Sequence, residues 1–298
     1  MILKEHNRNV NSLKGANVEN YTQQEMFSET VPAPSAPESA MWNLWHGCTR
    51  VSTGCAHCYV YRRDAEFGRD TSEVHKTQSF TLPVRKYRSG PRKGEYKYPA
   101  GTVFYTCFTS DFFHPDADGW RNEAWAMIRE RSDCTFYMIT KRPERIEAAL
   151  PSDWGEAGYD HVQVSCTCEN QYWTDRRLPV FLSLPLPHKS ITHEPMLERI
   201  NIRKYLKDFG DQIESVSCGG ESGPEARLCD YAWVLDTHMQ CVEYSVPFYF
   251  HQTGARLRKG NKIYEIPREH QHSQAHKAHL DFDGVRLPAW DEPDMEDD

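Results

Sequence analysis

"TVFYTCFTSDFFHPDADGWRNEAWAMIRERSDCTFYMITKRPER", residues 102–145, holds one full period of the pattern that decides the fold. Its two flanks, "TVFYTCFT" (102–109) and "TFYMIT" (135–140), are short runs of β-branched and aromatic residues, the composition of strands. Between them Trp120, Ala124, Met127, Ile128 and Arg131 recur at steps of three and four, which predicts a helix over "DGWRNEAWAMIRERS". The same unit repeats outward, with strands expected at "HVQVSCT" (161–167), "HKSITHE" (188–194), "ESVSCG" (214–219) and "PFYFHQT" (247–253). A first strand is expected in "MWNLWHG" (41–47), and "DYAWVLDTHMQCVEY" reads as another helix. Strand alternating with helix implies an α/β fold with about six to seven parallel strands.

Nearly every expected strand runs into a polar cluster at its C-terminal end. These clusters are Ser110 with Asp111, Lys141 with Arg142, Glu169 with Asn170, His193 with Glu194, Gly219 to Ser222, and His251 with Gln252. An open sheet builds its site only at the switch point of strand order, whereas a barrel gathers all such ends at one mouth. The series therefore favours a partial (β/α) TIM-like barrel over 41–258. Residues 1–40 are polar and end in "VPAPSAPESA", a Pro-rich extension. Residues 259–298 read as a C-terminal extension closing on "DEPDMEDD", an acidic run expected to stay solvated.

The 298 residues are 39% hydrophobic and 26% charged, with a formal net charge of -8, so no global attraction to nucleic acid or an anionic membrane is built in. No apolar run reaches the ~18 residues of a membrane span, and "MILKEHNRNV" lacks a secretory core, so a cytoplasmic protein with no membrane partner is expected. The ten cysteines then read as reduced thiols and metal ligands rather than disulfides.

Three of them crowd into "GCTRVSTGCAHCYVYRRD" (47–64): Cys48, six residues, Cys55, two residues, Cys58. Two cysteines on a turn with a third from the preceding loop make a three-sided sulfur cap, which suits an iron–sulfur cluster with one iron left for a non-protein ligand. A Cys₃His zinc site completed by His46 or His57 is the rival, giving a zinc-stabilised nucleic-acid- or protein-binding module without catalysis. "CAHC" as a dithiol redox pair is the third reading.

The motif "MWNLWHGCTRVSTGCAHCYVYR", with "FTSDFFH", "TKRPER", "CTCENQ", "HEPML", "GGESGPEAR" and "FYFHQTG", resembles a phage- and bacterium-associated three-cysteine-motif family of uncharacterised proteins, from about Met41 to about Gly254. That family is in turn similar to the radical S-adenosylmethionine (SAM) enzymes. The first cysteine gap there is usually three rather than six, and the "GGE" usually follows the second strand rather than the sixth. The resemblance implies a [4Fe-4S] cluster on Cys48, Cys55 and Cys58, SAM at the open iron, a 5′-deoxyadenosyl radical that takes hydrogen from a substrate, and an electron donor such as flavodoxin or ferredoxin. It also implies that His57 and Tyr59 pack near the adenosine, that Ser110 and Asp111 meet the SAM amino group, and that Gly219, Gly220 and Glu221 let backbone approach SAM.

Around the same mouth, Glu169, Glu194 and Gln252 are expected as polar orienters of SAM or substrate, and Lys141 and Arg142 as binders of a carboxylate or phosphate. Cys168 is a candidate hydrogen-atom donor to a product radical, whereas Cys107, Cys134, Cys166, Cys218, Cys229 and Cys241 read as small buried hydrophobes. "PVRKYRSGPRKGEYKYP" (83–99) carries Arg85, Lys86, Arg88, Arg92, Lys93 and Lys97 against Glu95, with three tyrosines interleaved. Its cations could neutralise phosphates while its tyrosines stack on bases, making a nucleic acid or nucleotide a candidate substrate; a solvated loop explains the same residues.

Overall fold

Seven parallel strands form one sheet in the order in which the chain makes them: β1 (Ser39–Trp42), β2 (Val103–Thr106), β3 (Thr135–Thr140), β4 (Val162–Thr167), β5 (His188–His193), β6 (Ile213–Gly219) and β7 (Phe248–Gln252). The computed structural model describes residues 38–285, so the expectations for residues 1–37 and for the acidic run at 291–298 lie outside the described residues. A helix follows each strand: α1 (Tyr59–Glu66), α2 (Asp118–Glu130), α3 (Ile146–Ala149), α4 (Gln171–Ser183), α5 (Arg203–Phe209), α6 (Tyr231–Glu243) and α7 (Arg268–His276). Sequential order without a switch point, with no pairing of β1 to β7, makes a curled half-barrel of the TIM-like kind.

Stagger between strands produces the curl. One row of neighbours passes from Met41, the third residue of β1, through Tyr105, Tyr137 and Gln163 to His188, the first residue of β5. The alternate residues face the helices and form the core. Trp42, Phe104 and Phe136 pack with ring centroids 5.3 to 6.3 Å apart, and the Trp42 indole donates to the Phe80 carbonyl at 3.0 Å. In α2 the buried stripe is Arg121, Ala124, Trp125, Met127 and Ile128.

The inner face is not filled by branched apolar side chains, as it is in a closed barrel. Met41, Tyr105 and Tyr249 are exposed there. Further round, the Ser165 and Thr192 hydroxyls lie 2.6 Å apart, and Ser217 donates to Thr192 at 3.2 Å.

The first strand begins two residues before the run assigned to it. Only Trp42 and its predecessors join the sheet; Trp45 and His46 pair instead, antiparallel, with Lys76 and His75. Within the stretch set apart as a C-terminal extension, Lys262–Glu265 pairs with Arg256–Lys259 as a hairpin, and α7 packs on β7. Phe282 forms an isolated bridge to Phe248 at the outer edge of β7. Among the described residues no helix is long and apolar enough to cross a membrane.

Candidate functional site: the three-cysteine loop at the barrel mouth

Residues 47–58 leave β1 and cross the C-terminal end of the sheet, held by the loops that follow four other strands. After β2, the Ser110 hydroxyl donates to the Gly47 carbonyl, and the Thr49 N–H and hydroxyl meet Nε2 of the buried His114 at 3.3 and 3.0 Å. After β3, Nη2 of Arg142 donates to the carbonyl and hydroxyl of Thr49 at 2.9 and 2.8 Å. After β4, the Glu169 carboxylate accepts the Gly54 N–H at 3.0 Å, and Asn170 Nδ2 donates to the Thr53 hydroxyl at 3.2 Å. After β6, Arg227 donates to the Thr53 carbonyl at 2.9 Å, and His57 Nδ1 lies 3.1 Å from Glu221.

Two buried carboxylates anchor this arrangement. Burial alone would raise the Glu169 carboxyl, but the Arg177 guanidinium at 2.6 Å, with contacts from Ser52 and the Gly54 N–H, holds it below the usual range. Glu221 is likewise held low against its burial by Arg227, which reaches it through its backbone N–H, Nε and Nη2 at 2.9, 3.0 and 2.6 Å, and by His57. Both stay ionised at neutral pH. Contact with Glu169 also sets the residue at position 54, since a Cβ on Gly54 would lie 2.9 Å from the Glu169 carboxyl carbon.

Cys48, Cys55 and Cys58 are free and half-buried, whereas the other seven cysteines are buried. Cys55 ends a single 3₁₀ turn, Thr53–Cys55, and Cys58 caps α1. Burial pushes the Cys48 thiol up to about 12, with Asp111 adding to the rise and Arg142 opposing it. Tyr61 donates to the Cys48 carbonyl. Its phenol is raised by burial and then by Cys48, with Arg50 opposing and Cys55 and Cys58 adding to the rise. Among the described residues no group of three or more His, Cys, Asp or Glu side chains is arranged to hold a metal ion.

Several other site candidates are engaged by the chain itself. The Asp111 carboxylate accepts from the Thr140 hydroxyl at 2.9 Å and from the N–H groups of Lys141 and Phe113 at 3.1 and 2.9 Å, so it ties β2 to β3. Tyr59 donates to the Phe108 carbonyl. Glu194 sits 2.9 Å from His251 Nδ1 and accepts from Gln252 at 3.3 Å. Gly220 packs on its neighbouring strand rather than on open space, because a Cβ there would lie 2.3 Å from the Thr253 carbonyl oxygen. Cys168 is fully buried, its N–H bonded to the Thr192 carbonyl at 2.8 Å, so it does not open onto the mouth. Arg85, Lys86 and Arg88 belong to the excursion between α1 and β2, which leads to the N-terminal end of β2.

Of the two histidines considered for zinc, His46 has Nε2 2.9 Å from Asp64, and His57 is held by Glu221 as above. Thr49, His114, Arg177 and Arg227 went unassigned in the sequence. Their one legible trace is a base placed a short step after an acid, Arg177 after Glu169 and Arg227 after Glu221.

Residues 38–292 match the family described as "Protein of unknown function (DUF5131)". No curated protein and no solved structure matches the chain. The family match takes in the whole described sheet, the cysteine loop and the mouth, well over half the sequence, and the chain belongs to that family.

Proposed function

We propose that the protein is a radical SAM enzyme whose iron–sulfur cluster is carried by Cys48, Cys55 and Cys58. The observation behind this reading is the placement of three free, half-buried thiols on a loop laid across the mouth of a half-barrel, while every other thiol is buried. The donor set fits the group. Thiolates are the ligands of iron–sulfur clusters, and a cluster spreads them over several irons, so they need not meet at one point as the ligands of a single ion must. Held by Cys48, Cys55 and Cys58, such a cluster would supply the electron for reductive cleavage of SAM and so the means of abstracting a hydrogen atom from a substrate.

The chain's own part is positioning. Glu169, Glu221 and Arg142 fix the loop, and the inner face, where Tyr105 and Tyr249 are exposed, offers a substrate an aromatic floor. The substrate candidates are nucleic acids and nucleotides, the electron donor is a flavodoxin or ferredoxin, and the setting is the cytoplasm.

A second reading draws on His57. With Nδ1 donating to Glu221, its Nε2 is left to ligate beside Cys55 and Cys58, as in carboxylate–histidine–zinc sites. Anaerobic purification with metal analysis separates the two. The cluster reading expects brown protein with iron and acid-labile sulfide in equal amounts, loss of both on replacing any one of the three cysteines by alanine, and 5′-deoxyadenosine from SAM on reduction. About one zinc per chain, lost in His57→Ala and with SAM left intact, overturns it in favour of a structural metal site.

A further inference from the structure

We propose that the excursion between α1 and β2 is a binding surface for the phosphodiester backbone of a nucleic acid, separate from the cysteine loop. A cavity of about 480 Å³ there is lined by Thr81, Val84, Arg85, Lys86, Arg88 and Lys97, four cations and no carboxylate. A second cavity, about 590 Å³, is lined in part by Arg69, His75 and Lys76 and reaches Gln78, whose carbonyl accepts from the Arg85 guanidinium. The two therefore adjoin. The ion pairs of this stretch, Lys76–Glu123 and Arg92–Glu95, leave Arg85, Lys86, Arg88 and Lys97 without a carboxylate partner among the described residues. In a chain of net charge -8, such a run of unneutralised cations is a local exception to the acidic balance.

The tyrosines decide what the surface reads. Lys86 and Arg131 lie over the Tyr96 ring, 4.5 and 4.1 Å from its centroid, and Arg92 and Lys97 over Tyr87 at 4.6 and 5.9 Å. Those ring faces are occupied by the chain's own cations and do not serve as platforms for bases. They hold the charged groups in place, so the surface recognises phosphate without regard to sequence. Each cavity has the volume of a nucleotide-sized site, and two in series match successive phosphates of a strand better than one free anion.

The test is fluorescence anisotropy of the full chain with a labelled oligothymidylate of roughly twenty residues. The expected result is binding at about 0.05 M salt, weakened at least ~10-fold in the Arg85→Glu/Lys86→Glu/Arg88→Glu variant. The slope of log affinity against log salt should flatten by about 2, at ~0.7 per lost phosphate contact. Arg88→Glu alone, at an exposed side chain, should weaken binding in the same direction with an unchanged melting temperature. A charge-matched Lys207→Glu/Lys262→Glu/Lys277→Glu variant should lose far less. The proposal is overturned by absence of binding, by an equal loss in the matched variant, or by displacement of the strand by inorganic pyrophosphate at equal phosphate concentration, which would make this a pocket for free anions. None of these readings depends on iron, so a protein that is colourless and iron-free after anaerobic purification yet binds the strand refutes the cluster and leaves this surface standing.

Discussion

Glu169 is a buried acid that positions a loop rather than a ligand, and its titration should report on that role. Its folded value lies below the ordinary 4.5, so its contribution to stability is complete above that value and is lost as pH falls through the depressed one. Glu221 behaves in the same sense. The urea midpoint should therefore hold from neutral pH down to the ordinary carboxylate value and drop below it. Glu169→Gln should flatten that drop and lower stability at neutral pH by on the order of 3 kcal/mol, because it leaves the buried Arg177 guanidinium without its counter-charge. Equal midpoints for parent and variant at neutral pH would remove Glu169 from this role. His251 works in the opposite direction. Glu194 raises it above 6.5, so the bonus of this pair is complete below that value and fades as pH rises through the raised one. Proton NMR of the His251 ring should show the raised value fall back towards 6.5 in Glu194→Gln.

At the scale of elements, the turn after β6 is built by close packing. A Cβ on Gly220 would meet backbone, the Thr253 carbonyl oxygen at 2.3 Å, whereas one on Gly219 would meet the Glu194 side chain at 2.6 Å. Gly220→Ala should therefore cost more, about 3 kcal/mol or above, and no second substitution should rescue it. Gly219→Ala should cost less and be relieved by Glu194→Ala, a coupling that thermal unfolding of the double variant measures. Helix α4 offers a milder case. Asn170 accepts the Trp173 N–H at 2.9 Å as its N-cap, so Asn170→Ala should cost ~1 kcal/mol.

These elements differ in how far the sequence displays them. Strands β2 to β7 are readable because each is a short β-branched or aromatic run closed by polar residues. The first was misplaced because Trp42 and Trp45 are both fully buried, one in the sheet and one in the short pairing with residues 75–76, and burial alone does not mark where a strand ends. The cysteines showed themselves by spacing. The groups that hold their loop did not, since contacts such as Gly54 to Glu169, 115 positions apart, exist only once the strands stand side by side. Whether the tyrosines at 87 and 96 stack on bases or only line a solvated loop is not legible in the sequence, which shows which residues are interleaved but not which ring faces are covered.

For the whole molecule, the division of thiols into an accessible trio and a buried remainder predicts its native chemistry. With metal removed, Ellman's reagent should titrate Cys55 and Cys58 promptly, Cys48 more slowly because burial holds its thiol protonated, and the other seven only after unfolding. Prompt reaction of Cys168 in the folded protein would contradict its burial. The agreement of sheet order with chain order has a further consequence. Each strand pairs with the one made just before it, so a chain leaving the ribosome finds a finished edge waiting for every new strand and the sheet can grow from its amino end, whereas the loop after β1 is locked only when Glu169 and Arg227 arrive.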